Sequence, residues 1–324
     1  MHPLNAPMEY RELAGLTVSA VGLGCLAMTG GYGPADPDEC VTTIRKGLDL
    51  GLTLLDTADF YPGSERLVGR AIAGRRDEVV VATRGGMRSA APGGPPKIFD
   101  GTPDHLRGAC TASLRALDVD HIDLYYLARV DPRVPVEEST GALAELVEEG
   151  KIRHIGLSEA TAGQLRAAHA VHPITALESE YSLWERHVEA EILPAARALG
   201  IGFVAHTPLG KGMLTGELPA GFGPRDFRSN HPRFQGENLR HNRELVAGAA
   251  RALGRTGRPL GQLALAWVLA QGKDVVAIPG TRDPDHLAAN LAAADIVLTP
   301  ELLAQLAESV PPDGVSGDRV PQRS

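Results

Sequence analysis

The chain has 324 residues, a net charge of -8 and 43% hydrophobic residues. That length and apolar content allow a large buried core, and one α/β barrel is a reasonable domain count. Lysine and arginine are scattered rather than clustered, so the sequence gives no indication of binding to nucleic acid or to an anionic membrane. A small-molecule partner is expected instead.

The cysteines are few and far apart. Cys25, Cys40 and Cys110 form no CxxC pair, which argues against a disulfide framework and against a zinc site, so no metal is predicted. The N-terminal sequence MHPLNAPMEYR has no basic segment followed by an apolar run, and no stretch approaches 18 apolar residues. We therefore expect a reduced, cytoplasmic protein that does not span a membrane. Whether it forms a homo-oligomer is left open.

Short apolar or β-branched runs alternate with helical patterns along the chain. In order, the runs are VSAVGLG, LTLLDTA, EVVVATR, HIDLYYL, RHIGLSE, ITALESE, IGFVAH and DVVAIPG. Eight is the strand number of a closed (β/α)8 barrel. Runs such as VVVA are continuous, as expected of parallel strands that are covered on both faces. We predict a single-domain α/β fold, a (β/α)8 TIM barrel, over residues 1–310.

The segments between the runs have helical spacing. Val41, Ile44 and Leu48 predict a helix that packs on one face, and glycines stand where helices would end, at Gly51, Gly150 and Gly200. An open doubly wound sheet is the alternative architecture. It is disfavoured because GLGCLAMTGG lacks the third glycine of a GxGxxG motif.

The alternation breaks once, before the last strand. Residues 210–242 are rich in glycine, proline, arginine and aromatics, and they are long for a plain connection. We predict a long loop at the catalytic face, a lid in preference to a mobile surface excursion. Residues 311–324 are predicted to form a flexible C-terminal tail.

The active site of such a barrel lies at the carboxyl ends of its strands. Around those ends, segments such as GLGC, LLDTADFY, GLSEA, EYSLW, LGKGMLTG and IPGTR follow one another in an order that resembles the aldo-keto reductase superfamily. The resemblance is strongest to the bacterial and plant branch that carries GLSEA after the fifth strand. Because it needs many motifs at consistent spacing, it is specific.

This resemblance implies hydride transfer from NADPH to a carbonyl, with a tyrosine that gives the proton. A free phenol has a pKa near 10, so the tyrosine needs a neighbouring cation. By position, the family's aspartate is Asp56 and its tyrosine is Tyr61, but the lysine is replaced by Arg84 and the histidine by Ala128. Losing one oxyanion donor costs roughly a hundred to a thousandfold in rate. Reduction of a conjugated double bond would depend less on that donor.

Two more positions depart from the family pattern. Glu178 stands where a glutamine usually holds the nicotinamide carboxamide, and His206 stands where a tyrosine usually stacks on the ring. One interpretation is a rebuilt cleft in which both residues exchange protons with the substrate. The alternatives are loss of function by drift, a core histidine at His206 and a solvated or ion-paired carboxylate at Glu178.

The resemblance also implies a cofactor site and a substrate pocket. NADP(H) is expected, and NAD(H) is the weaker alternative. The preference for NADP(H) is reduced because His286 stands where an arginine is usual. The expected cofactor residues are Ser158, Glu159, Glu178, His206, Leu209, Lys211, Gly280, Thr281, Arg282, His286 and Asn290. The expected walls of an apolar pocket, suited to a hydrophobic or cyclic substrate, are Leu26, Tyr32, Phe60, Phe99, Leu127 and Ala128.

Three functions remain open at this point. The favoured one is an NAD(P)H-dependent oxidoreductase with an atypical site. The second is a redox-neutral isomerase, epimerase or dehydratase that uses Tyr61, His206 and Glu178 for proton transfer. The third is a protein that binds the cofactor with little reductase activity.

Overall fold

The computed structural model describes residues 8–88, 98–224 and 226–319. Its strands are β1 (Tyr10–Leu13), β2 (Leu16–Ser19), β3 (Leu23–Gly24), β4 (Leu54–Asp56), β5 (Val80–Gly85), β6 (Met87–Arg88), β7 (Ile98–Phe99), β8 (Ile122–Leu127), β9 (Ile152–Ser158), β10 (Ala176–Glu180), β11 (Gly202–His206) and β12 (Val275–Ile278). Its helices are α1 (Pro37–Asp49), α2 (Ser64–Ile72), α3 (Pro103–Leu117), α4 (Val136–Glu148), α5 (Ala162–Val171), α6 (Ile192–Ala198), α7 (Gly236–Leu253), α8 (Leu260–Ala270), α9 (Pro284–Leu291) and α10 (Pro300–Ser309).

Eight parallel strands form a closed barrel in the order β3, β4, β5, β8, β9, β10, β11, β12. The first and last strands of this order, β3 and β12, are joined by main-chain hydrogen bonds from residues in and beside them. The amide of Gly22 donates to the carbonyl of Ala277 at 2.8 Å, and that of Gly24 to Pro279 at 3.2 Å. The predicted (β/α)8 barrel is confirmed.

An antiparallel hairpin of β1 and β2 closes the amino end of the barrel. Its Leu13 and Val18 belong to the cluster of fully buried residues inside the barrel. The predicted first strand, VSAVGLG, is therefore split between two elements, because β2 ends at Ser19 and β3 begins at Leu23. The amide of Ser19 turns to the side chain of Thr53, to which it donates at 2.8 Å.

Alternate residues of each barrel strand face the interior, as the two-residue repeat of a strand requires. On β8, Leu124 and Tyr126 lie in the interior cluster, whereas Tyr125 and Leu127 lie in the core between strands and helices. On β5 the interior residue Ala82 is followed two positions later by Arg84. This alternation therefore aims Arg84 into the carboxyl end of the barrel.

The glycines predicted to end helices adopt the left-handed backbone that this position favours. The φ angles are +90° at Gly51, +71° at Gly150 and +68° at Gly200. The three cysteines are buried free thiols. Within the described ranges, no helix has both the length and the apolar content needed to cross a membrane.

The long segment after β11 and the end of the described chain, up to Arg319, both pack on the carboxyl end of the barrel. Residues 210–235 contain short 3-10 turns, and the later part of the predicted loop, from Gly236, forms the start of α7. The amide of Phe227 donates to the carbonyl of Gly31 at 3.0 Å. In the predicted tail, the amide of Ser316 donates to Asn242 at 2.8 Å, while residues 320–324 lie outside the described chain.

Gly69 on α2 packs closely against the end of α3 in the helical layer. A Cβ atom there would lie 2.3 Å from the carbonyl oxygen of Leu117, whereas one at the exposed Gly108 on α3 would have no heavy atom within 4 Å. We expect Gly69→Ala to lower the free energy of unfolding by about 1–3 kcal/mol through overpacking. Gly108→Ala should raise it by up to about 1 kcal/mol, because alanine favours a helix interior. Urea unfolding of both variants measures this, and equal effects would contradict the packing.

Candidate functional site

Arg84 lies between two carboxylates at the carboxyl end of the barrel. It pairs with Asp56 on β4 through Nη2, and its Nη1 donates to Glu178 Oε1 on β10 at 2.5 Å. Its Nε donates to the carbonyl of Thr57 at 3.1 Å. The three charged residues are at most 4% exposed. Each guanidinium nitrogen therefore has a fixed acceptor, and the arginine is held rigidly.

The charges of this cluster do not balance if every group is ionised, because one guanidinium faces two carboxylates. Burial raises the pKa of Asp56 well above its usual value; Arg84 opposes that rise, and Glu178 adds to it. Asp56 Oδ2 and Glu178 Oε2 are buried and have no hydrogen-bond partner in the described part of the protein. Asp56 therefore holds its proton to a higher pH than an exposed aspartate does.

Tyr126 lies below this cluster and was not expected from the motifs. Its ring centroid is 5.3 Å from the guanidinium carbon of Arg84, which is a cation–π contact. The ring lies inside the barrel because Tyr126 is two residues before Ala128 on the same face of β8. The two-residue repeat of the strand would have identified it.

Tyr61 follows β4 and is partly buried beside the cluster, and its ring packs edge-on against Phe60 with centroids 5.0 Å apart. Burial raises the pKa of the phenol to about 12; Arg84 lowers it, while the carboxylates of Asp56 and Glu178 raise it further. The effect of the cation is thus largely offset by its own counterions. Tyr61 therefore stays protonated at neutral pH, as a proton donor must.

Ala128 is fully buried at the end of β8, and its amide donates to the carbonyl of Gly85 at 2.8 Å. The next residue, Arg129, is a second cation at the mouth that the family motifs did not predict. Its Nη1 donates to Ser158 Oγ at 3.1 Å and to the carbonyl of Ala128 at 2.5 Å. An arginine beside the altered histidine position is the signal that could have pointed to it.

His206 is not a free acid–base group in this structure. Its Nε2 lies 2.8 Å from Glu159 Oε1, and its Nδ1 lies 2.9 Å from Thr207 Oγ1. Arg319, from the end of the described chain, donates to Glu159 Oε2 at 2.8 Å. Although burial by itself would raise the pKa of Glu159, His206 and Arg319 lower it far below its usual value. The predicted cofactor residues His206 and Glu159 thus belong to one hydrogen-bonded unit with Arg319.

A neighbouring carboxylate joins this network to the long loop. Lys211 Nζ donates to Glu180 Oε1 at 2.9 Å, and Arg319 Nη1 reaches Glu180 Oε2 at 3.4 Å. The pKa of Glu180 is lowered despite burial, because Lys211 and His206 outweigh desolvation. Lys211 and Glu159 have left-handed φ angles of +58° and +56°. Such strained backbone clusters at ligand-binding positions.

The predicted adenosine end of the cofactor site lies after β12. Arg282 Nη1 donates to the carbonyl of Gly33 at 3.3 Å, which ties this end to the loop after β3. The carboxylate of Asp283 accepts from the amides of Asp285 and His286 at 2.8 and 2.9 Å. These two first-turn amides of α9 are therefore already occupied. His286 and Asn290 lie on α9 itself.

The other predicted cofactor residues lie around the same cleft. Gly280 pairs with Gly24 across the closure of the barrel. Thr281 Oγ1 accepts from the amide of Asp283 at 3.0 Å. Leu209 precedes the 3-10 turn Gly210–Thr215 and packs against the core.

The structure brings together part of the predicted pocket wall. The ring of Tyr32 is 4.5 Å from that of Phe227, centroid to centroid, and the guanidinium of Arg228 lies 4.9 Å from the Tyr32 ring. The long segment after β11 is thus fastened to the loop after β3 above the barrel. Leu26, on the first 3-10 turn, is half-buried at the same end.

Two more residues of the predicted pocket wall are Leu127 and Phe99. Leu127 points outward from β8 into the core beside Leu106, because its neighbour Tyr126 takes the inward position. Phe99 lies on β7, which pairs with β6, and its carbonyl accepts from Arg133 Nη2 at 2.5 Å. The strand repeat, applied residue by residue, excludes Leu127 from the barrel interior.

Comparison with known proteins agrees with this geometry. The model of the aldo/keto reductase family matches residues 20–311. The chain belongs to this family. A probable aldo-keto reductase 1 from Glycine max is 43% identical over 313 residues, which cover 94% of this chain and 89% of that protein.

Solved aldo/keto reductases share the fold along nearly the whole chain. The glycerol dehydrogenase of Gluconobacter oxydans has a TM-score of 0.84 at 31% identity and covers 94% of this chain and 96% of its own. The reductase of Klebsiella pneumoniae solved with NADP and acetate has a TM-score of 0.74 at 29% identity and covers 98% of both chains.

The raised pKa of Asp56 gives this aldo/keto reductase a pH-dependent stability. Because the pKa of Asp56 is higher in the folded state than in the unfolded chain, the folded protein binds more protons between those two values. The free energy of unfolding therefore falls as pH rises through that window.

Glu178→Gln keeps an acceptor for Arg84 but removes one charge. We expect this variant to gain stability over the wild type as pH rises from 5 to 8, by up to about 1.4 kcal/mol per pH unit.

Urea denaturation at pH 5, 6.5 and 8 measures this difference. Glu138→Gln, at an exposed position on α4, is the control and should follow the wild type at each pH. Parallel pH profiles for Glu178→Gln and the wild type would mean that Glu178 does not raise the pKa of Asp56.

Proposed function

We propose that this protein is an NADP(H)-dependent reductase of a carbonyl or conjugated double bond in a hydrophobic small molecule. The observation that carries the proposal is the position of Tyr61 beside the buried Asp56–Arg84 ion pair at the carboxyl end of the barrel. Family membership and relatives solved with NADP support it.

The described side chains fit a dinucleotide along the cleft. His206 is 22% exposed, so part of its ring is accessible to a nicotinamide, and Ser158 keeps a hydroxyl proton to donate because it accepts from Arg129. Lys211 and Arg282 would hold the phosphates. Because Lys211 is paired with Glu180, binding of a phosphate there has to compete with a carboxylate. We propose NADP(H), with NAD(H) the weaker choice.

When bound, NADPH supplies the hydride that the carbonyl carbon accepts. Tyr61 gives its phenolic proton to the carbonyl oxygen, so that the product is an alcohol, and the tyrosinate recovers a proton from water. Because the pKa of the phenol is raised to about 12, the proton donor is fully present at neutral pH, while the tyrosinate needed for alcohol oxidation is scarce. The site therefore favours reduction.

Arg84 acts here as a fixed positive charge and not as a proton carrier. An arginine stays protonated in proteins, and the pKa of this guanidinium, which burial would lower, is raised further by Asp56 and Glu178. Its three nitrogens hold Asp56, Glu178 and the backbone after β4, which carries Tyr61. It thereby positions the loop that leads to the proton donor.

A redox-neutral reaction has less support. It would use His206 and Glu178 as free acid–base groups, but His206 is bound to Glu159 and Glu178 is bound to Arg84. Both would first have to leave an ion pair that is mostly buried. Cofactor binding without turnover is the remaining alternative, and it rests on the lost histidine at Ala128.

We also propose a cytoplasmic location. Its support is the set of unpaired, buried thiols at Cys25, Cys40 and Cys110, which suits a reducing compartment.

The role of Tyr61 is tested with NADPH deuterated at C4 and an aromatic aldehyde such as 4-nitrobenzaldehyde. Wild-type protein should place deuterium on the carbinol carbon, and Tyr61→Phe should lower kcat/KM by about 100-fold or more because it removes the proton donor. Tyr10→Phe, at a half-exposed tyrosine, is the control and should leave kcat/KM unchanged.

Two results would count against the proposal. Equal kcat/KM for Tyr61→Phe and the wild type would remove the tyrosine from the mechanism. Solvent deuterium at a substrate carbon, without net oxidation of NADPH, would favour the redox-neutral reaction.

A further inference from the structure

Arg129 is a partly buried cation at the barrel mouth whose donors are only partly used. It directly follows Ala128 at the carboxyl end of β8. Among the described residues, its hydrogen bonds come from Nη1 alone, to Ser158 Oγ at 3.1 Å and to the carbonyl of Ala128 at 2.5 Å. A guanidinium has five N–H donors. Nε and Nη2 therefore keep protons for a ligand.

The other cation near Tyr61, Arg84, already has an acceptor at each of its three nitrogens. Arg84 donates from Nη1 to Glu178, from Nη2 to Asp56 and from Nε to the carbonyl of Thr57. If Arg84 turned toward a substrate, two buried carboxylates would lose their partner, and breaking a buried pair in this way is strongly destabilising. Of these two arginines, Arg129 is the one that can reach outward.

Arg129 also lies near the reacting groups. Glu159, Arg84, Glu178 and the Tyr61 phenol all lie close enough to act electrostatically on its guanidinium. The bond to Ser158 fixes one side of the guanidinium at the carboxyl end of β9. Ala128 places only a methyl group next to it, so no larger side chain at that position stands between Arg129 and the pocket.

We propose that Arg129 donates a hydrogen bond from Nε or Nη2 to the carbonyl oxygen of the substrate. This inference rests on the proposed reductase function. The hydride goes to the carbonyl carbon, the Tyr61 proton goes to the oxygen, and Arg129 keeps all of its protons while it stabilises the negative charge that develops. A charge-assisted donor of this kind is stronger than a neutral one. Arg129 thus takes over the orienting role that Ala128 cannot perform.

The kinetic arm of the test compares Arg129→Gln, Arg129→Lys and the wild type in the NADPH-dependent reduction of 4-nitrobenzaldehyde. We expect Arg129→Gln to lower kcat/KM roughly 100-fold, with most of the loss in kcat, because the bond strengthens as charge develops on the oxygen. Arg129→Lys keeps the charge without the planar fork and should recover part of the loss. Arg133→Gln is the matched control on the same loop, since Arg133 is 60% exposed and pairs with Asp131; it should match the wild type.

The binding arm needs no turnover. 4-Nitrobenzoate, whose carboxylate resembles the developing oxyanion, is titrated calorimetrically into the protein saturated with NADP+. We expect affinity at least 10-fold weaker in Arg129→Gln than in the wild type and in Arg133→Gln. Thermal unfolding of each variant confirms folding, and if Arg129→Gln does not fold, Arg129→Lys carries both comparisons.

The two arms separate the inference from the function on which it rests. If the wild type binds 4-nitrobenzoate through Arg129 but reduces no carbonyl, the proposed function fails and the assignment of Arg129 stands. If Arg129→Gln matches the wild type in both arms, or if the wild type does not bind the carboxylate, the assignment is overturned.

Discussion

The buried contact of Arg84 with Asp56 and Glu178 is the interaction on which the rest of the site depends. The three residues come from β5, β4 and β10, so only the closed barrel brings them together. The guanidinium fork needs two acceptors, and each carboxylate alone would be a buried charge without a partner. The resemblance implied that lysine and glutamine are usual at Arg84 and Glu178. The structure shows that both departures belong to one contact, because Glu178 is the second acceptor of Arg84.

A second set of ion pairs surrounds the cofactor cleft. Glu159 accepts from His206 and Arg319, and Glu180 accepts from Lys211 and Arg319. Arg319 therefore ties the end of the described chain to β9 and β10. A phosphate or nicotinamide that enters this cleft meets groups that already have partners, so cofactor binding involves an exchange of ion pairs. Similarity to other aldo/keto reductases in fold does not imply the same cofactor energetics.

The fold could be predicted from the sequence because it depends on repeated patterns. Continuous apolar runs, helix-ending glycines and the order of the motifs each gave the same barrel, and the structure confirmed it. The strand ends also placed Asp56, Arg84 and Glu178 at one end of the barrel. Two details of the prediction differ from the structure. The run VSAVGLG was predicted as one strand, but it is divided between Ser19 and Leu23. Leu127 was predicted in the pocket wall, but the two-residue repeat of the strand turns it into the core between strands and helices.

The partners of the charged residues could not be predicted from the sequence. Glu178 and His206 were interpreted as free acid–base groups, but whether a buried carboxylate is free depends on which side chain faces it from a strand distant in the sequence. Arg129 and Arg319 lie outside the positions that the motifs emphasise, and their roles depend on contacts with Ser158 and Glu159. Such contacts are properties of the closed barrel and of its C-terminal segment.

The central claim is that burial and the neighbouring Glu178 raise the pKa of Asp56 in its contact with Arg84. It is tested most directly by carbon NMR of protein labelled with 13C at the aspartate and glutamate carboxyl groups, with the Asp56 signal assigned by its loss in Asp56→Asn. The account predicts that this signal keeps the position of a neutral acid to a higher pH than the signals of exposed aspartates. An Asp56 signal that reaches the position of an ionised carboxylate at the same pH as the exposed aspartates would contradict it.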